Sequence, residues 1–378
     1  MAERKKILVF IDWFLPGYKA GGPIRSCANL IDHLWEKFEF CVVTRNTDYF
    51  DPLPYPGIAT NCWIDMAGKY KVMYLSENQI NAENFCELLD SESWDSVYLN
   101  SFFSPLFAIL PLRLLKKRPA LKVILAPRGM LAPAALSVKK WKKKMYMWYA
   151  HISGYYDKLI FQATSEEESA HIRRFFPENE ILYAPSLPRK VHQNVTTAER
   201  EGPLKILTVS RIAKEKNILG AARILSKVKK EVSWTLAGPI YDPAYWAECR
   251  KIIESFPRNV NFTFFGPADT EQLSTLFNSH DLYFQPTLGE NFGHAILEAL
   301  SNGLPVLISD KTPWRMLSEQ HAGLDLPLQS EHLMTDAIED FAEMNESEFS
   351  KWRIGALNLG LSRMHDNGAL EANYRLFK

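Results

Sequence analysis

The sequence predicts an α/β protein made of two doubly wound parallel sheets. Three observations carry this expectation. Strand-length apolar runs alternate with amphipathic stretches of helical period. The alternation stops at a polar, proline-bearing segment, residues 185–203, and then restarts. The chain has 378 residues, enough for two domains at roughly 150 residues each. Alternating strands and helices imply β-α-β units, with helices covering both faces of a parallel sheet.

In the first half the expected strands are residues 7–12, 38–44, 96–100, 123–126 and 158–163, the last closing that half. Amphipathic stretches at 24–38 and 105–117 lie between them. The break at 185–203 has no apolar periodicity and reads as a linker. In the second half, strands are expected at 204–210, 232–237, 260–265, 282–285 and 305–309. Helices are expected at 217–228, 245–256, 271–279 and 293–302. The predicted domains are therefore 1–185 and 204–350, joined by a linker at 186–203 and followed by a helical tail at 351–378.

Composition narrows the function classes. Lys plus Arg and Asp plus Glu both number 44, so the chain lacks the basic excess of a nucleic-acid binder. The five cysteines include no C-x-x-C pair and do not form a disulfide framework, which points to a reducing compartment. The opening MAERKK followed by 7–11 mimics a secretion signal, but Asp12 interrupts the short apolar run, and a buried first strand is expected instead. No stretch reaches the ~20 apolar residues of a membrane span. The expected location is cytoplasmic, either free or peripheral on the inner membrane.

In such sheets ligands bind in the loops at the carboxyl ends of strands. The richest of these is QPTLGENFGHAILEAL, residues 285–300, where a strand ends, a glycine-bounded loop follows and a helix opens near Gly293. A helix N-terminus offers unpaired N–H groups to an anion, and Gly289 and Gly293 allow close backbone approach. Glu290 precedes this helix and Glu298 lies inside it. A second segment, VSRIAKEKN at 209–217, carries Arg211 and Lys216 after the first strand of the second half. Two cations from one loop can neutralise a diphosphate; alone, such a pair is usually a solvated surface. A third, Gly21-Gly22-Pro23, follows the first strand, where a plain turn is an equal reading.

Together these strings resemble the GT-B glycosyltransferases of family 4, the retaining group 1 enzymes. The resemblance rests on Glu290 and Glu298 separated by seven residues, on Phe292-Gly293 between them, and on the continuation from Glu298 through Gly303-Leu304-Pro305-Val306. It implies two Rossmann-like domains facing across a cleft, with a C-terminal helix returning to the N-terminal domain. It also implies Arg211 and Lys216 on the donor diphosphate and Glu290 on the donor sugar, these three forming the catalytic set. Glu298 would bind the ribose. Gly21, Gly22, Ser210, Gly266, Asn291, Phe292 and Gly293 complete the implied donor site, the base lying near Phe265-Gly266-Pro267.

The chain departs from the family at two places. Relatives often carry His-x-His where this sequence has Tyr98 and Asn100, and a histidine where it has Arg128. Asn100 and Arg128 are therefore assigned to the acceptor side, or to a structural role, with both readings open. There is no D-x-D, dinucleotide or P-loop motif and no histidine–cysteine cluster, so no metal is expected. The implied activity is retaining transfer of a hexose-type sugar from a nucleoside-diphosphate sugar to a glycan or lipid-linked acceptor in surface polysaccharide synthesis. A UDP-sugar is favoured over a GDP-sugar. The alternatives are a GT-B sugar-nucleotide epimerase and an inactive GT-B partner subunit. Finally, residues 139–149, KKWKKKMYMWY, are basic and aromatic. They read either as a helix with a solvated lysine face and a buried aromatic face, or as a contact with an anionic membrane.

Overall fold

The computed structural model describes residues 4–137, 140–190 and 202–378. The chain divides into two compact units, Met1–Lys190 with Asn367–Lys378, and Val191–Asp366. The first unit contains β1 (Lys5–Phe10), α1 (Gly22–Leu34), β2 (Phe38–Arg45), β3 (Trp63–Met66), β4 (Tyr70–Leu75), α2 (Ala82–Asp90), β5 (Ser96–Leu99), α3 (Leu110–Leu115), β6 (Lys122–Leu125), α4 (Pro133–Ser137), α5 (Lys140–Ser153), β7 (Ile160–Ala163), α6 (Glu166–Phe175) and β8 (Glu180–Tyr183). Its eight strands are ordered β3-β4-β2-β1-β5-β6-β7-β8. Only the β3–β4 pair is antiparallel. The central β5 is buried along its whole length, as a parallel strand covered on both faces must be.

The second unit contains β9 (Leu204–Val209), α7 (Ile218–Leu225), β10 (Val232–Ala237), α8 (Pro243–Ile253), β11 (Val260–Gly266), α9 (Thr270–Ser279), β12 (Leu282–Gln285), α10 (His294–Ser301), β13 (Val306–Ser309), β14 (Gly323–Leu326), α11 (Glu331–Glu343) and α12 (Glu346–Met364). Its sheet is parallel throughout, in the order β11-β10-β9-β12-β13-β14. Strand order reverses beside β9, so the loops after β9 and β12 flank the crevice where open α/β sheets take ligands. The second core closes around Trp234, Ile206, Phe284 and Ile338, all essentially inaccessible. Local chemistry starts several helices: Asp242 caps α8, and Asp269 with Gln272 forms a capping box on α9.

Several expectations need correction. The stretch 105–117 is not one regular helix: a π-turn at Pro105–Ile109 precedes the short α3. The first half does not close at 163, since β8 follows β7, and the β3–β4 hairpin adds an edge. These strands are short and half-exposed, so they lack the continuous apolar run that marks a central strand. The tail is not one segment from 351 onward. Residues to 366 belong to the second unit, because α12 lies on α10 there. Gly360 permits this contact, and Gly355 permits the approach of α12 to the turn at Gln320. A Cβ on Gly360 would come within 2.5 Å of Ser301 N, and one on Gly355 within 2.3 Å of Gln320 O. The last helix, α13 (Asn367–Phe377), packs on the first unit. There the Phe377 ring meets Phe38, Phe40 and Tyr98 at 5.5–5.7 Å.

The linker expected at 186–203 lies largely outside the described residues, which stop at 190 and resume at 202. Residues 186–190 are fastened along α1: Asn29 Nδ2 donates to the Leu187 carbonyl at 2.9 Å, and His33 bonds the Pro188 carbonyl at 2.9 Å.

Candidate functional site

The carboxyl edge of the six-stranded sheet gathers most of the residues singled out from sequence. After β9 come Ser210, Arg211 and a one-turn 3₁₀ helix at Lys214–Lys216. Asn217 takes a left-handed backbone (φ 54°) and caps α7 through its Oδ1. Its Nδ2 donates to the Pro286 carbonyl at 2.9 Å, tying this loop to the one after β12. Two more bonds complete the tie: Thr287 Oγ1 and Leu288 N both donate to the Glu215 carbonyl at 2.9 Å. The two loops are thus one stitched unit rather than neighbours by chance.

The charges are paired within this unit. Lys216 Nζ lies 2.5 Å from Glu290 Oε2, and both side chains are largely buried, 14% and 18% exposed. Gln285 Nε2 donates to the same Glu290 oxygen at 3.3 Å. Arg211 pairs with Glu215 at 2.8 Å and lies 5.1 Å from the centre of the Tyr241 ring. Burial works against the Arg211 charge, but the Glu215 carboxylate outweighs it with help from Tyr241 and Glu290, so its pKa stands above the ordinary arginine value. Lys214, the alternative cation of the loop, is exposed and makes no ion pair among the described residues.

Beside these cations, α10 begins at Gly293 (φ 81°), and no side chain caps its first turn. A helix start without a side-chain cap is a place where an anion can be received. The left-handed Gly293 is held closely. A Cβ there would meet Ile296 Cδ1 at 2.9 Å, Trp314 Nε1 at 3.1 Å and Glu290 Cγ at 3.3 Å. Trp314 Nε1 donates to the Phe292 carbonyl at 2.7 Å and fixes the entry to the helix. Ser210 Oγ is buried and has no hydrogen-bond partner among the described residues. Gly266 (φ 81°) ends β11 on the same edge, with open space where a Cβ would sit. Glu298 lies half-buried one turn into α10.

In the first unit the structure joins three residues that the sequence reading kept apart. Arg128, with a left-handed backbone (φ 55°), donates from Nε to Asn100 Oδ1 at 2.7 Å and from Nη2 to the Tyr98 hydroxyl at 2.6 Å. Asn100 Nδ2 donates on to the Pro23 carbonyl at 3.1 Å, steadying the turn that holds Gly21 (φ 71°) and Gly22 at the start of α1. The Tyr98 hydroxyl donates to Gln162 Oε1 at 2.6 Å. Gln162 in turn reaches Asn373 on α13 at 3.3 Å. Tyr98 is inaccessible and burial raises its pKa, so it suits a structural lock better than proton transfer. That weakens the epimerase alternative, which needs an acid or base here.

Sequence reasoning missed Glu215, Gln285, Tyr241 and Trp314. Glu215 was detectable by its i, i+4 spacing from Arg211, and Gln285 opens the 285–300 string five residues before Glu290; Tyr241 and Trp314 reach the site only through tertiary contact. Among the described residues, no group of three or more His, Cys, Asp or Glu could hold a metal ion.

Comparison with known proteins bears on the fold. Residues 192–349 match the family model of glycosyl transferases group 1. A protein from the cps region of Klebsiella pneumoniae is 25% identical over 236 residues, covering 59% of this chain and 62% of its own length. The chain thus spans less than two thirds of that relative. Sucrose-phosphate synthase of Thermosynechococcus elongatus superposes with a TM-score of 0.72 at 16% identity, covering 99% of this chain and 98% of its own. Anabaena HepE, solved in complex with UDP and glucose, gives a TM-score of 0.67 at 14% identity, covering 99% and 98%. The chain therefore has the GT-B fold, and within it residues 192–349 are similar to the glycosyl transferases of group 1.

Proposed function

We propose that this protein is a retaining glycosyltransferase that moves a hexose-type sugar from a nucleoside-diphosphate sugar to a glycan or lipid-linked acceptor. The observation that carries the reading is the cradle on the second sheet: Arg211 and Lys216 from one loop, stitched to the uncapped start of α10 from the next. Such a cradle suits a diphosphate, because guanidinium, ammonium and helix amides all stabilise charge building on the leaving group. Ser210 Oγ supplies a further free donor. Gly266, Asn291, Phe292 and Gly293 line the donor, and Glu298 takes the ribose. Glu290, held by Lys216 and Gln285, meets the sugar hydroxyls. The acceptor oxygen attacks from the leaving-group face, and a donor phosphate oxygen takes its proton as the glycosidic bond to phosphate breaks. With two protein cations in place, the reaction is expected to run without a metal. Within the first unit, Asn100 and Arg128 hold the turn of Gly21 and Gly22 in shape. The K. pneumoniae relative from a cps region supports a role in surface polysaccharide synthesis, and the UDP bound to HepE supports UDP as donor base.

The test is thermal unfolding against UDP, GDP, ADP and CMP, with and without EDTA. A nucleotide at 100 times its Kd should stabilise by about 2.7 kcal/mol. A shift with one nucleotide, unchanged by EDTA, is expected. No shift with any of the four refutes the phosphate cradle, and loss of the shift in EDTA refutes metal independence.

A further inference from the structure

We infer that α5 is an interfacial anchor that lays its outer face on an anionic lipid bilayer. The helix shows the reverse of a packed amphipathic helix. Trp141, Met145, Trp148 and Ile152 follow one another at i, i+4, i+7 and i+11, and are 78%, 69%, 68% and 66% exposed. That spacing is a single stripe along the helix, bordered by the exposed Tyr149. The inward face is accounted for. Met147 and Ala150 are buried, the Tyr146 hydroxyl bonds that of Tyr156, and Lys143 donates to the Ala135 carbonyl at 2.7 Å over the Phe103 ring. Nothing further in the first unit's packing demands the outer stripe. The reading of a solvated lysine face and a buried aromatic face is thus overturned for the two tryptophans.

Charge selects the occupant. Residues 139–153 hold five lysines and no carboxylate. Lys142 and Lys144 are exposed on either side of the stripe, with Lys144 Nζ 5.9 Å from the Trp141 ring. The neighbouring α3 adds exposed Arg113 and Lys116, the latter bonded to the Ser153 carbonyl at 2.7 Å. Tryptophans at headgroup depth, aliphatic side chains below them and flanking lysines reaching phosphate are the pattern of a helix lying in the plane of an anionic bilayer. No helix of the described residues is long and apolar enough to cross one. The anchor belongs to the first unit and the nucleotide cradle to the second, and the inference does not depend on the cradle. If both hold, a lipid-linked acceptor would be met at the surface where the enzyme sits.

The experiment is flotation of the full chain with phosphatidylcholine vesicles, plain or containing about one-third phosphatidylglycerol. The wild-type protein should float with the anionic vesicles only, and less so as salt rises. Trp141→Ser with Trp148→Ser should cut partitioning about 10-fold or more. Lys142→Gln and Lys144→Gln should each cost about fivefold. All four sites are exposed, so unfolding is not expected, and unchanged UDP-induced thermal shifts in the variants would separate the anchor from the cradle. The inference is overturned if the wild type ignores anionic vesicles, or if the four-site variant floats as well as the wild type. It is also overturned if sedimentation shows wild-type dimers that the tryptophan variant abolishes without any vesicle binding, since the stripe would then join two copies of the chain.

Discussion

Cutting the two ends of the Lys216–Glu290 pair should change nucleotide affinity in opposite directions. At 2.5 Å the attraction between these charges is about 7 kcal/mol at an effective dielectric of ~20 and about 2 kcal/mol in bulk water. Desolvation takes back most of it, so the pair contributes on the order of 1–2 kcal/mol to the stability of the second unit. If Lys216 holds the diphosphate as proposed, Lys216→Met removes a charge-assisted bond worth ~1.5–3 kcal/mol. It also leaves the Glu290 carboxylate facing the ligand with Gln285 as its remaining polar neighbour. The Kd for UDP should rise by roughly 10- to 100-fold. Glu290→Gln keeps the shape and frees the Lys216 ammonium, so the Kd for UDP should hold or fall a few-fold. Sugar transfer should nonetheless drop by ~10²-fold, because the donor sugar loses its carboxylate partner. Calorimetric titration with UDP and measurement of UDP released from UDP-sugar read the two quantities separately. The reasoning is refuted if Lys216→Met binds UDP like wild type, or if both substitutions weaken UDP equally.

Three further outcomes are expected. Gly293→Ala should cost about 1–2 kcal/mol for its left-handed backbone and should lower transfer as well, since the new Cβ presses within 3.3 Å of Glu290 Cγ; full activity in a transfer assay would contradict this. Asn373→Ala should destabilise the chain by about 2–3 kcal/mol in denaturant titration, because it strips donors from the Pro185 and Ala369 carbonyls and a partner from Gln162; a cost near zero would show that α13 is not locked by this network. His280 is held between Leu276 and Thr235, and burial lowers its pKa below the ordinary 6.5. The unfolded chain therefore takes up this proton first, so the contribution of His280 to stability is complete above about pH 6.5 and declines as pH falls below it. His280→Gln should flatten the stability–pH curve in that acid window, and an unchanged slope would refute the assignment.

Much of the second unit was legible in the sequence. Strands 204–210, 232–237 and 282–285 coincide closely with β9, β10 and β12, because each carries apolar residues that the core buries: Leu204, Ile206 and Leu207, then Val232, Trp234 and Leu236, then Leu282 and Phe284. Arg211, Lys216, Glu290 and Gly293 were singled out through the family resemblance, and the structure brings them to one sheet edge; their roles there belong to the proposal. The first unit was less legible. Its edge strands β3 and β8 are half-exposed and carry no continuous apolar run, and α3 is broken by a π-turn that no helical period announces.

Tertiary structure decided what spacing cannot express. Only folding pairs Lys216 with a carboxylate 74 residues away, or runs Arg128 through Tyr98 and Gln162 to Asn373 on the last helix. Only packing shows that α12 stays with the second unit while α13 joins the first, since Gly360 approaches the backbone of α10 and Gly355 that of Gln320 and His321, both distant in sequence. The same holds for α5. Its sequence alone allows either face to turn inward, and it is the seating of Met147, Ala150 and Tyr146 against the first core that leaves two tryptophans in solvent. Periodicity tells which residues share a face; the partners packed against a helix determine which face is covered.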